Sequence, residues 1–305
     1  MIKTGKYSFE ISNEDKLLFP DDGITKGDII NYYREMAAYI IPFTKGRPAM
    51  LQRFPNGISK SGFYQKDRSV HFPEWINSSQ VKKEGGETTN MVHLDNEATL
   101  AYLANQGVIS YHVWLSKVDN IHVPDMLIFD LDPPDTNGFD LVKKGARALK
   151  DLFENKLGMA SFLKLSGSKG IHFIVPIKPE HQFNKVREFC SSAARFLSRE
   201  NPGEFTIETR KDKRKGRLFI DYLRNSYAQT AVAPYSLRPI KEAPVAAPIS
   251  WDEIEQKDLS PRQFNLKNIN KRISQVEDPW KNFNRRRHSI FKPMKELLKM
   301  IDKQD

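Results

Sequence analysis

The stretch MLIFDLDPP, residues 126–134, joins an apolar run to two carboxylates and a pair of prolines. Residues i and i+2 of a strand project to the same face, so Asp130 and Asp132 point together while Leu131 points into the core. The prolines end the strand and leave both acids at its C-terminal edge. Two neighbouring carboxylates repel each other unless a cation lies between them, and a divalent metal ion is the usual solution.

A second apolar run, GRLFI at residues 216–220, is followed directly by Asp221. A third carboxylate on a neighbouring strand completes a two-metal site of the kind that holds the attacking and leaving oxygens in phosphoryl transfer. Two other interpretations of Asp130 and Asp132 stay open at this point. The pair is either a solvated strand end or the motif of a haloacid-dehalogenase-like phosphatase, whose first aspartate is the nucleophile. Two prolines replace the small residues expected after that phosphatase motif.

The turn SGSKGIH, residues 166–172, lies between two apolar strands. Its serines and glycines are expected to expose backbone N–H groups, Lys169 adds a positive charge, and His172 follows two residues after Gly170. Such a turn suits a triphosphate, although its spacing is not that of a Walker A motif. Next to three strand-end carboxylates, the turn favours a nucleotide site.

Strands and helices alternate along the rest of the chain, which predicts an α/β or α+β core with appended helices. A capping box of Thr25 and Asp28 opens one predicted helix, and Pro42 is expected to close it. From residue 234 onward, a high density of prolines predicts a stiff, extended connector. Short helices are expected to follow this connector.

Length and composition are those of a globular protein, with 305 residues, 39% of them hydrophobic and 28% charged. No apolar stretch approaches the ~18 residues of a membrane helix, and the first residues lack the apolar segment of a secretory signal. The single cysteine, Cys190, excludes an intramolecular disulfide and a cysteine-based zinc site. We therefore expect a cytoplasmic protein. The net charge of +10 favours a polyanionic partner such as nucleic acid without specifying a function.

Seven segments of the sequence together resemble one known family. In chain order, from Glu14 to Glu253, they are EDKLLFPDDGITKGDIINYY, SYHVW, FDLDPP, KLSGSKGIHFIVP, FIDYLRN, QTAVAPYSLRP and APVAAPISWDE. By these motifs the chain resembles the polymerase domain of bacterial ligase D, in the archaeo-eukaryotic primase superfamily. The resemblance implies a primase-polymerase fold, in which an RRM-like antiparallel sheet is joined to a second αβ unit with appended C-terminal helices. We expect residues 1–305 to form a single catalytic domain of a stand-alone protein, with residues 234–305 as connector and helices packed on its core.

The resemblance also implies an activity, that of a nucleotidyltransferase of the primase-polymerase type in DNA end joining and repair. Such an enzyme adds nucleotides, preferentially ribonucleotides, to primer 3′ ends at gaps and breaks that carry a 5′-phosphate. Two divalent ions, Mn²⁺ or Mg²⁺, are the implied cofactors, and nucleoside triphosphates are the implied substrates. The expected partners are gapped or 3′-overhang DNA and, by analogy, a separate ATP-dependent DNA ligase and a Ku-type end-binding protein.

The functional residues of the family fall on matching positions of this sequence. The implied catalytic metal ligands are Asp130, Asp132 and Asp221. The residues implied to bind the incoming nucleotide are His112, Ser166, Lys169, His172 and Arg238. The residues that match the family's pocket for the 5′-phosphate are Lys16 and Lys26. The residues that match an aromatic pair stacking on template bases, usually two phenylalanines, are Phe63 and Tyr64.

Some alternatives stay open beside the resemblance. The basic run KDKRKGR at residues 211–217 is either a solvated hairpin face or part of the triphosphate channel, with Arg214 and Arg217 as its nucleotide-binding candidates. A histidine within a strand, such as His112, is more often structural than functional. Two rival functions are a metal-dependent phosphatase of the haloacid-dehalogenase type and a non-catalytic nucleic-acid-binding module. The binding module explains the basic charge but gives no reason for three strand-end acids.

Overall fold

The computed structural model describes residues 2–82, 85–135 and 138–303 and divides the chain into two units. The first unit comprises Met1–Asp119, Thr230–Ala247 and Phe264–Ser274. The second unit comprises Asn120–Gln229, Pro248–Gln263 and Gln275–Asp305. The expectation of one catalytic domain over residues 1–305 stays a prediction. Within the part of the chain that the structure describes, no helix is long and apolar enough to cross a membrane.

Strands and helices are mixed along the chain, which confirms the predicted α/β class. The strands are β1 (Ile2–Thr4), β2 (Tyr7–Phe9), β3 (Leu17–Phe19), β4 (Ile24–Thr25), β5 (Ala49–Arg53), β6 (Phe63–Gln65), β7 (Ser78–Lys82), β8 (Thr88–Val92), β9 (Val108–Trp114), β10 (Met126–Asp132), β11 (Phe162–Leu165), β12 (Ile171–Pro176), β13 (Phe205–Thr206), β14 (Leu218–Asp221), β15 (Thr230–Val232) and β16 (Pro248–Ile249). The helices are α1 (Lys26–Glu35), α2 (Ala37–Thr44), α3 (Glu97–Asn105), α4 (Phe139–Lys150), α5 (Phe183–Glu200), α6 (Ile269–Gln275) and α7 (Phe291–Asp302). A π-helical turn, Asp151–Lys156, extends α4.

The first unit is built around a four-stranded antiparallel sheet in the order β15-β9-β5-β6. Helix α1 packs against α3, and both contribute to one apolar core. Strand β9 supplies the buried centre of the sheet, since its residues Val108, Ile109 and Tyr111 are fully shielded from water. Burying such β-branched and aromatic side chains stabilises the strand that carries His112.

The helix predicted from Thr25 to Pro42 is present as two consecutive helices, α1 and α2. Its capping box is confirmed, because the Thr25 hydroxyl accepts the Asp28 N–H at 3.1 Å and the Asp28 carboxylate accepts the Thr25 N–H at 2.8 Å. The expectation that Pro42 closes this helix is wrong. The chain leaves α1 at Met36, where ψ is −4°, and Pro42 lies inside α2. The fixed φ of proline suits a helix, so Pro42 removes one hydrogen bond without ending α2 at that position.

The second unit contains a six-stranded sheet in the order β13-β14-β10-β12-β11-β16. All neighbouring strands are antiparallel except β13 and β14, which are parallel. Helices α4 and α5 pack on this sheet. The rings of Phe129, Phe153 and Phe173 lie 5.5–6.2 Å apart between centroids, which fixes the strands that carry the acidic residues.

The C-terminal segments of the second unit are tied to β11 and its neighbours. The Trp280 indole N–H donates to the Leu163 carbonyl at 2.9 Å, and the Trp251 indole donates to Ser161 at 3.2 Å. Ser250 and Glu253 form a capping box in the same segment, with bonds of 2.7 and 3.3 Å. These contacts pack both tryptophans against the core of the second unit.

Candidate active site

The three predicted acidic residues share one face of the sheet in the second unit. Strands β10 and β14 are antiparallel, with Asp130 directly opposite Asp221 and Asp132 opposite Phe219. Directly opposed residues of an antiparallel pair project to the same face, as do residues two apart on one strand. The backbone therefore directs all three carboxylates to one side of the sheet, and the Phe219 ring opposite Asp132 projects to that same side.

An imidazole and a guanidinium group lie close to two of these carboxylates. The His172 Nε2 is 3.5 Å from an Asp130 oxygen, since His172 lies opposite Asp130 on the adjacent strand β12. The Arg224 Nε lies 3.8 Å from Asp130 Oδ2 and 3.8 Å from Asp221 Oδ2. Burial raises the pKa of the Asp221 carboxyl, while a hydrogen bond from the Leu223 N–H and the charge of Arg224 oppose that rise.

The donor set of the acidic face fits a hard divalent cation. Carboxylate oxygens are the ligands that Mg²⁺ and Mn²⁺ prefer, and a partly buried Asp221 favours a positive charge beside it. In residues 2–82, 85–135 and 138–303, no three acidic, histidine or cysteine side chains converge closely enough to hold an ion by themselves. The role of Asp130, Asp132 and Asp221 as metal ligands therefore stays a prediction, and it requires their side chains to turn towards one another.

The Ser166 turn is organised differently from the prediction. The Ser166 hydroxyl oxygen accepts the N–H groups of Ser168, Lys169 and Gly170 at 3.1, 3.1 and 3.0 Å. The expectation that these N–H groups are exposed is wrong, because the turn folds around the serine side chain. Because the Ser166 oxygen accepts these three bonds, its hydroxyl hydrogen remains to be donated, and a phosphate oxygen can accept it.

Gly170 ends this turn at a position that has no space for a side chain. A Cβ atom built on Gly170 lies 2.0 Å from the carbonyl oxygen of Leu131. Leu131 stands between Asp130 and Asp132, so the turn packs directly on the backbone that carries the acids. The glycine is required for this close approach of two backbones rather than for phosphate contact.

Arg214 and Arg217 hold the loop before β14 in place. The Arg214 guanidinium donates to the carbonyls of Glu208 and Thr209 at 3.1 and 3.0 Å and stacks on the Phe219 ring at 4.0 Å. The Arg217 Nε donates to the Arg214 carbonyl at 2.9 Å. Their hydrogen bonds are with backbone, and the charge of Arg214 also opposes the rise in the pKa of the Asp221 carboxyl. A role of Arg214 and Arg217 in nucleotide binding stays a prediction.

His112 lies half-buried on β9 of the first unit. Its Nε2 is 3.3 Å from the Ser110 hydroxyl, and the edge of its ring meets Tyr64 with centroids 6.1 Å apart. Tyr64 is 56% exposed and Phe63 48% exposed, so the predicted template-stacking pair presents its rings to solvent. Arg53 lies over the Phe63 ring at 5.4 Å. The fold thus brings His112 and Tyr64 together on the same sheet.

Lys16 and Lys26 also come together in the first unit. Lys26 is buried, and burial lowers the pKa of its ammonium group, with the positive charge of Lys16 as the next cause and Glu14 opposing. Lys26 Nζ donates to Ser12 Oγ and Lys16 Nζ to Asn56 Oδ1, both at 3.1 Å. A buried lysine whose pKa is lowered by burial and by a second ammonium charge nearby favours a bound anion beside it.

The backbone N–H groups of Lys26, Gly27 and Asp28, at the N-terminus of α1, are all hydrogen-bonded within the protein. The N–H groups of Lys26 and Gly27 bond to the carbonyls of Lys16 and Glu14 at 2.8 and 2.9 Å, and Asp28 bonds to Thr25. The turn before β3 and the residue that follows this turn supply the two carbonyl acceptors. An anion at this place would therefore depend on the two lysine side chains.

Sequence reasoning missed Arg224 as part of the acidic face. A basic residue three positions after Asp221, within FIDYLRN, was the signal that could have found it. Ser110 and Ser236, which lie beside predicted site residues of the first unit, were also missed. Buried serines carry no pattern in a sequence that separates them from other core residues.

Three comparisons place these features among known proteins. A family model described as "LigD, primase-polymerase domain" matches residues 25–280. The bifunctional non-homologous end joining protein LigD of Bacillus subtilis is 30% identical over 295 residues, which cover 96% of this chain and 47% of that protein. A multifunctional non-homologous end joining DNA repair protein LigD of Mycobacterium tuberculosis is 32% identical over 276 residues, which cover 88% of this chain and 36% of that protein. The chain thus spans half or less of the length of these relatives.

A solved structure has the same fold. The polymerase domain from Mycobacterium tuberculosis ligase D in complex with DNA is 30% identical in sequence and superposes with a TM-score of 0.85. The match covers 91% of this chain and 98% of that domain. The predicted primase-polymerase fold is thereby confirmed.

Proposed function

This chain is a member of the LigD primase-polymerase domain family, and from that premise we propose that it is an end-joining polymerase of the primase type. It adds nucleotides to primer 3′ ends at gaps and breaks that bear a 5′-phosphate. The observation that carries the proposal is the register of β10 and β14, which directs Asp130, Asp132 and Asp221 to one face. The Ser166 turn leads directly into β12, the strand paired with β10, which supports a nucleotide at this face.

Asp130, Asp132 and Asp221 are the proposed ligands of two divalent ions, Mn²⁺ or Mg²⁺. When bound, such ions lower the pKa of the primer 3′-hydroxyl and neutralise the pyrophosphate leaving group. The chain's own residues contribute to catalysis by positioning the reactants and by neutralising charge. Ser166 donates its hydroxyl hydrogen to a phosphate oxygen, Lys169 adds a positive charge beside it, and His172 contributes its imidazole.

The first unit supplies the remaining proposed contacts. His112 and Arg238 bind the incoming nucleotide, and Phe63 and Tyr64 stack on template bases, for which exposed rings are suited. In the second unit, Arg214 and Arg217 shape the loop beside the triphosphate. Filling a gap leaves a nick in the DNA, so the activity needs a DNA ligase, and a Ku-type protein that holds the ends is a further proposed partner.

A single assay tests the proposed function against its rivals. The protein is incubated with a recessed, 5′-phosphorylated DNA, Mn²⁺ and labelled nucleoside triphosphates. Extension of the primer supports the polymerase. Release of phosphate from a monoester without extension would support a haloacid-dehalogenase-type phosphatase, and a gel shift alone would support a binding module.

The preference for ribonucleotides is a separate prediction. His112 and Ser166 are the proposed contacts near the ribose, and the His112 imidazole can hydrogen-bond a 2′-hydroxyl, a group that deoxyribonucleotides lack. We expect faster incorporation of ribonucleotides when both kinds compete in one reaction. Faster incorporation of deoxyribonucleotides would contradict this preference and leave the polymerase assignment intact.

Recognition of the 5′-phosphate is predicted to depend on Lys16 and Lys26. Removing the phosphate from gapped DNA should weaken binding by the unmodified protein about tenfold, since each charge-assisted hydrogen bond contributes about 1.5–3 kcal/mol at most. The Lys16→Ala/Lys26→Ala variant should bind phosphorylated and unphosphorylated gaps equally. Fluorescence anisotropy at several salt concentrations measures this, and the difference should shrink as salt rises.

A charge-matched control separates this site from general electrostatics. Lys45 and Lys60 are exposed lysines of the same unit. The Lys45→Ala/Lys60→Ala variant loses the same charge and should still discriminate between the two gaps. If the unmodified protein binds both gaps equally at low salt, the assignment of the phosphate pocket is wrong.

Arg224 is predicted to compete with metal ions for the acidic face. Its guanidinium lies 3.8 Å from both Asp130 and Asp221, where it provides the positive charge that an ion would otherwise supply. The Arg224→Gln variant should therefore bind Mn²⁺ about fivefold more tightly, which corresponds to about 1 kcal/mol for a half-exposed ion pair. Electron paramagnetic resonance of free Mn²⁺ measures this without DNA or nucleotide.

The control for Arg224 is an arginine whose ion-pair partner is an aspartate outside the acidic face. Arg210 pairs with Asp212 at 2.9 Å on the exposed loop before β14. The Arg210→Gln variant should bind Mn²⁺ as the unmodified protein does. Equal or weaker Mn²⁺ binding by Arg224→Gln would show that Arg224 does not oppose the ion.

A further inference from the structure

A buried hydroxyl cluster lies in the first unit, between strand β9 and the segment that carries Arg238. It consists of the hydroxyl groups of Tyr33, Ser110 and Ser236, whose residues are fully shielded from solvent. We propose that this hydroxyl cluster positions His112 and Arg238 for the incoming nucleotide. The inference rests on the proposed function, because it assigns a role to residues that support the proposed nucleotide contacts.

Ser236 connects its own segment to β9. Its hydroxyl oxygen accepts the Tyr111 N–H at 2.8 Å and lies 3.4 Å from the Ser110 hydroxyl. The same hydroxyl lies 3.3 Å from the Leu237 carbonyl, to which it donates. Because the Ser236 hydroxyl accepts a hydrogen bond from β9 and donates one to its own segment, it fixes the separation of these two backbones.

Tyr33 of α1 closes the cluster from the other side. Its hydroxyl donates to the Ile109 carbonyl at 2.5 Å and accepts the Leu237 N–H at 3.0 Å. Burial raises the pKa of the Tyr33 hydroxyl well above its usual range, so the group stays protonated and able to donate. One phenol thus bridges the backbone of β9 and the backbone next to Ser236.

The two proposed nucleotide contacts stand at the edges of this cluster. His112 Nε2 lies 3.3 Å from the Ser110 hydroxyl, two positions along the same face of β9. Arg238 follows Ser236 by two residues, and its N–H bonds to the Pro244 carbonyl at 2.7 Å. The hydroxyl cluster therefore orients His112 through its side chain and Arg238 through its backbone.

Positioning of this kind has a large effect on binding and rate. A displacement of about 1 Å at a reacting group can lower the rate by about a hundredfold. The cluster consists of buried groups whose partners are backbone atoms and other hydroxyls, so loss of one member leaves another polar group without its partner. Tyr33, Ser110 and Ser236 are accordingly positioning residues that do not themselves touch the nucleotide.

The test compares the Tyr33→Phe and Ser236→Ala variants with Tyr32→Phe. Tyr32 is a stringent control because it is the neighbouring buried tyrosine of α1 and donates to the Tyr235 carbonyl at 2.7 Å, so it contacts the same segment without bonding to a hydroxyl of the cluster. We expect both cluster variants to weaken nucleoside triphosphate binding about tenfold and to raise KM for the nucleotide more than they lower kcat. The affinity for gapped DNA should stay unchanged, and Tyr32→Phe should behave as the unmodified protein while losing a similar amount of thermal stability.

A spectroscopic measurement reports on His112 without any reaction. The chain has seven histidines, and the ring Cε1–H signal of His112 is assigned by its loss in His112→Gln. Ser236→Ala and Tyr33→Phe should shift this signal and its titration midpoint, whereas Tyr32→Phe should leave both in place.

The outcomes distinguish the inference from the proposed function. If the unmodified protein does not extend primers but binds triphosphates, and the cluster variants weaken that binding and shift the His112 signal, the polymerase proposal fails and the inference stands. If the cluster variants and Tyr32→Phe have the same nucleotide affinity and the same His112 signal, the inference is wrong. It is also wrong if the unmodified protein binds no nucleoside triphosphate.

Discussion

The Asp130→Ala and Asp132→Ala variants are expected to extend primers about a thousandfold more slowly than the unmodified protein in Mn²⁺. Each removes one of three carboxylates that β10 and β14 direct to one face of the sheet. With two carboxylates left, the ions would have one protein ligand fewer and would be held less tightly and less precisely. Extension of a labelled primer under single-turnover conditions measures the loss.

DNA binding by these variants should stay close to that of the unmodified protein, because removing an acid from a basic protein does not weaken its attraction to phosphates. Asp258→Ala is the control, since Asp258 is an exposed acid of the same unit. The Asp258→Ala variant loses the same charge and should extend primers as fast as the unmodified protein. Near-normal extension by either Asp130→Ala or Asp132→Ala would refute the assignment of these residues as metal ligands.

The Gly170→Ala variant is expected to be strongly destabilised. The added Cβ would lie 2.0 Å from the Leu131 carbonyl oxygen, and both partners belong to backbone that cannot move without breaking β10 or the Ser166 turn. We expect a loss of about 3 kcal/mol in the free energy of unfolding, the upper end of the range for overpacking. Urea unfolding followed by tryptophan fluorescence measures it.

Gly203→Ala serves as the matched control in the second unit. A Cβ on Gly203 meets nothing within 4 Å, and its backbone does not require a glycine. That variant should be as stable as the unmodified protein. If Gly170→Ala unfolds at the same urea concentration as Gly203→Ala, the close contact between the turn and β10 does not exist in solution.

The sequence predicted local structure well where a short-range pattern determines it. The strand before Asp130 follows from an apolar run ended by prolines, and the capping box of Thr25 follows from side-chain spacing. The same reasoning failed where a tertiary contact competes with a local preference. Pro42 was expected to end a helix, but the turn at Met36 ends α1 first and lets the proline enter α2.

The candidate site was predictable in its residue types and not in its hydrogen bonds. Strand ends place Asp130 and Asp221, but only the register shows that they lie directly opposite each other. The Ser166 turn was expected to present free N–H groups, and the serine hydroxyl accepts three of them instead. Arg224 and the hydroxyl cluster depend on contacts between distant segments, for which no local pattern exists.

The pairing of Asp130 with Asp221 joins two positions that are 221 − 130 = 91 residues apart in the chain. Such a pair does not exist until the second unit has closed its sheet, because closing so long a loop costs entropy that only the completed core offsets. A cation held by these carboxylates therefore binds the native chain and hardly binds the unfolded one. Its free energy of binding adds to the free energy of unfolding, so each tenfold rise of its concentration above Kd should stabilise this unit by about 1.4 kcal/mol.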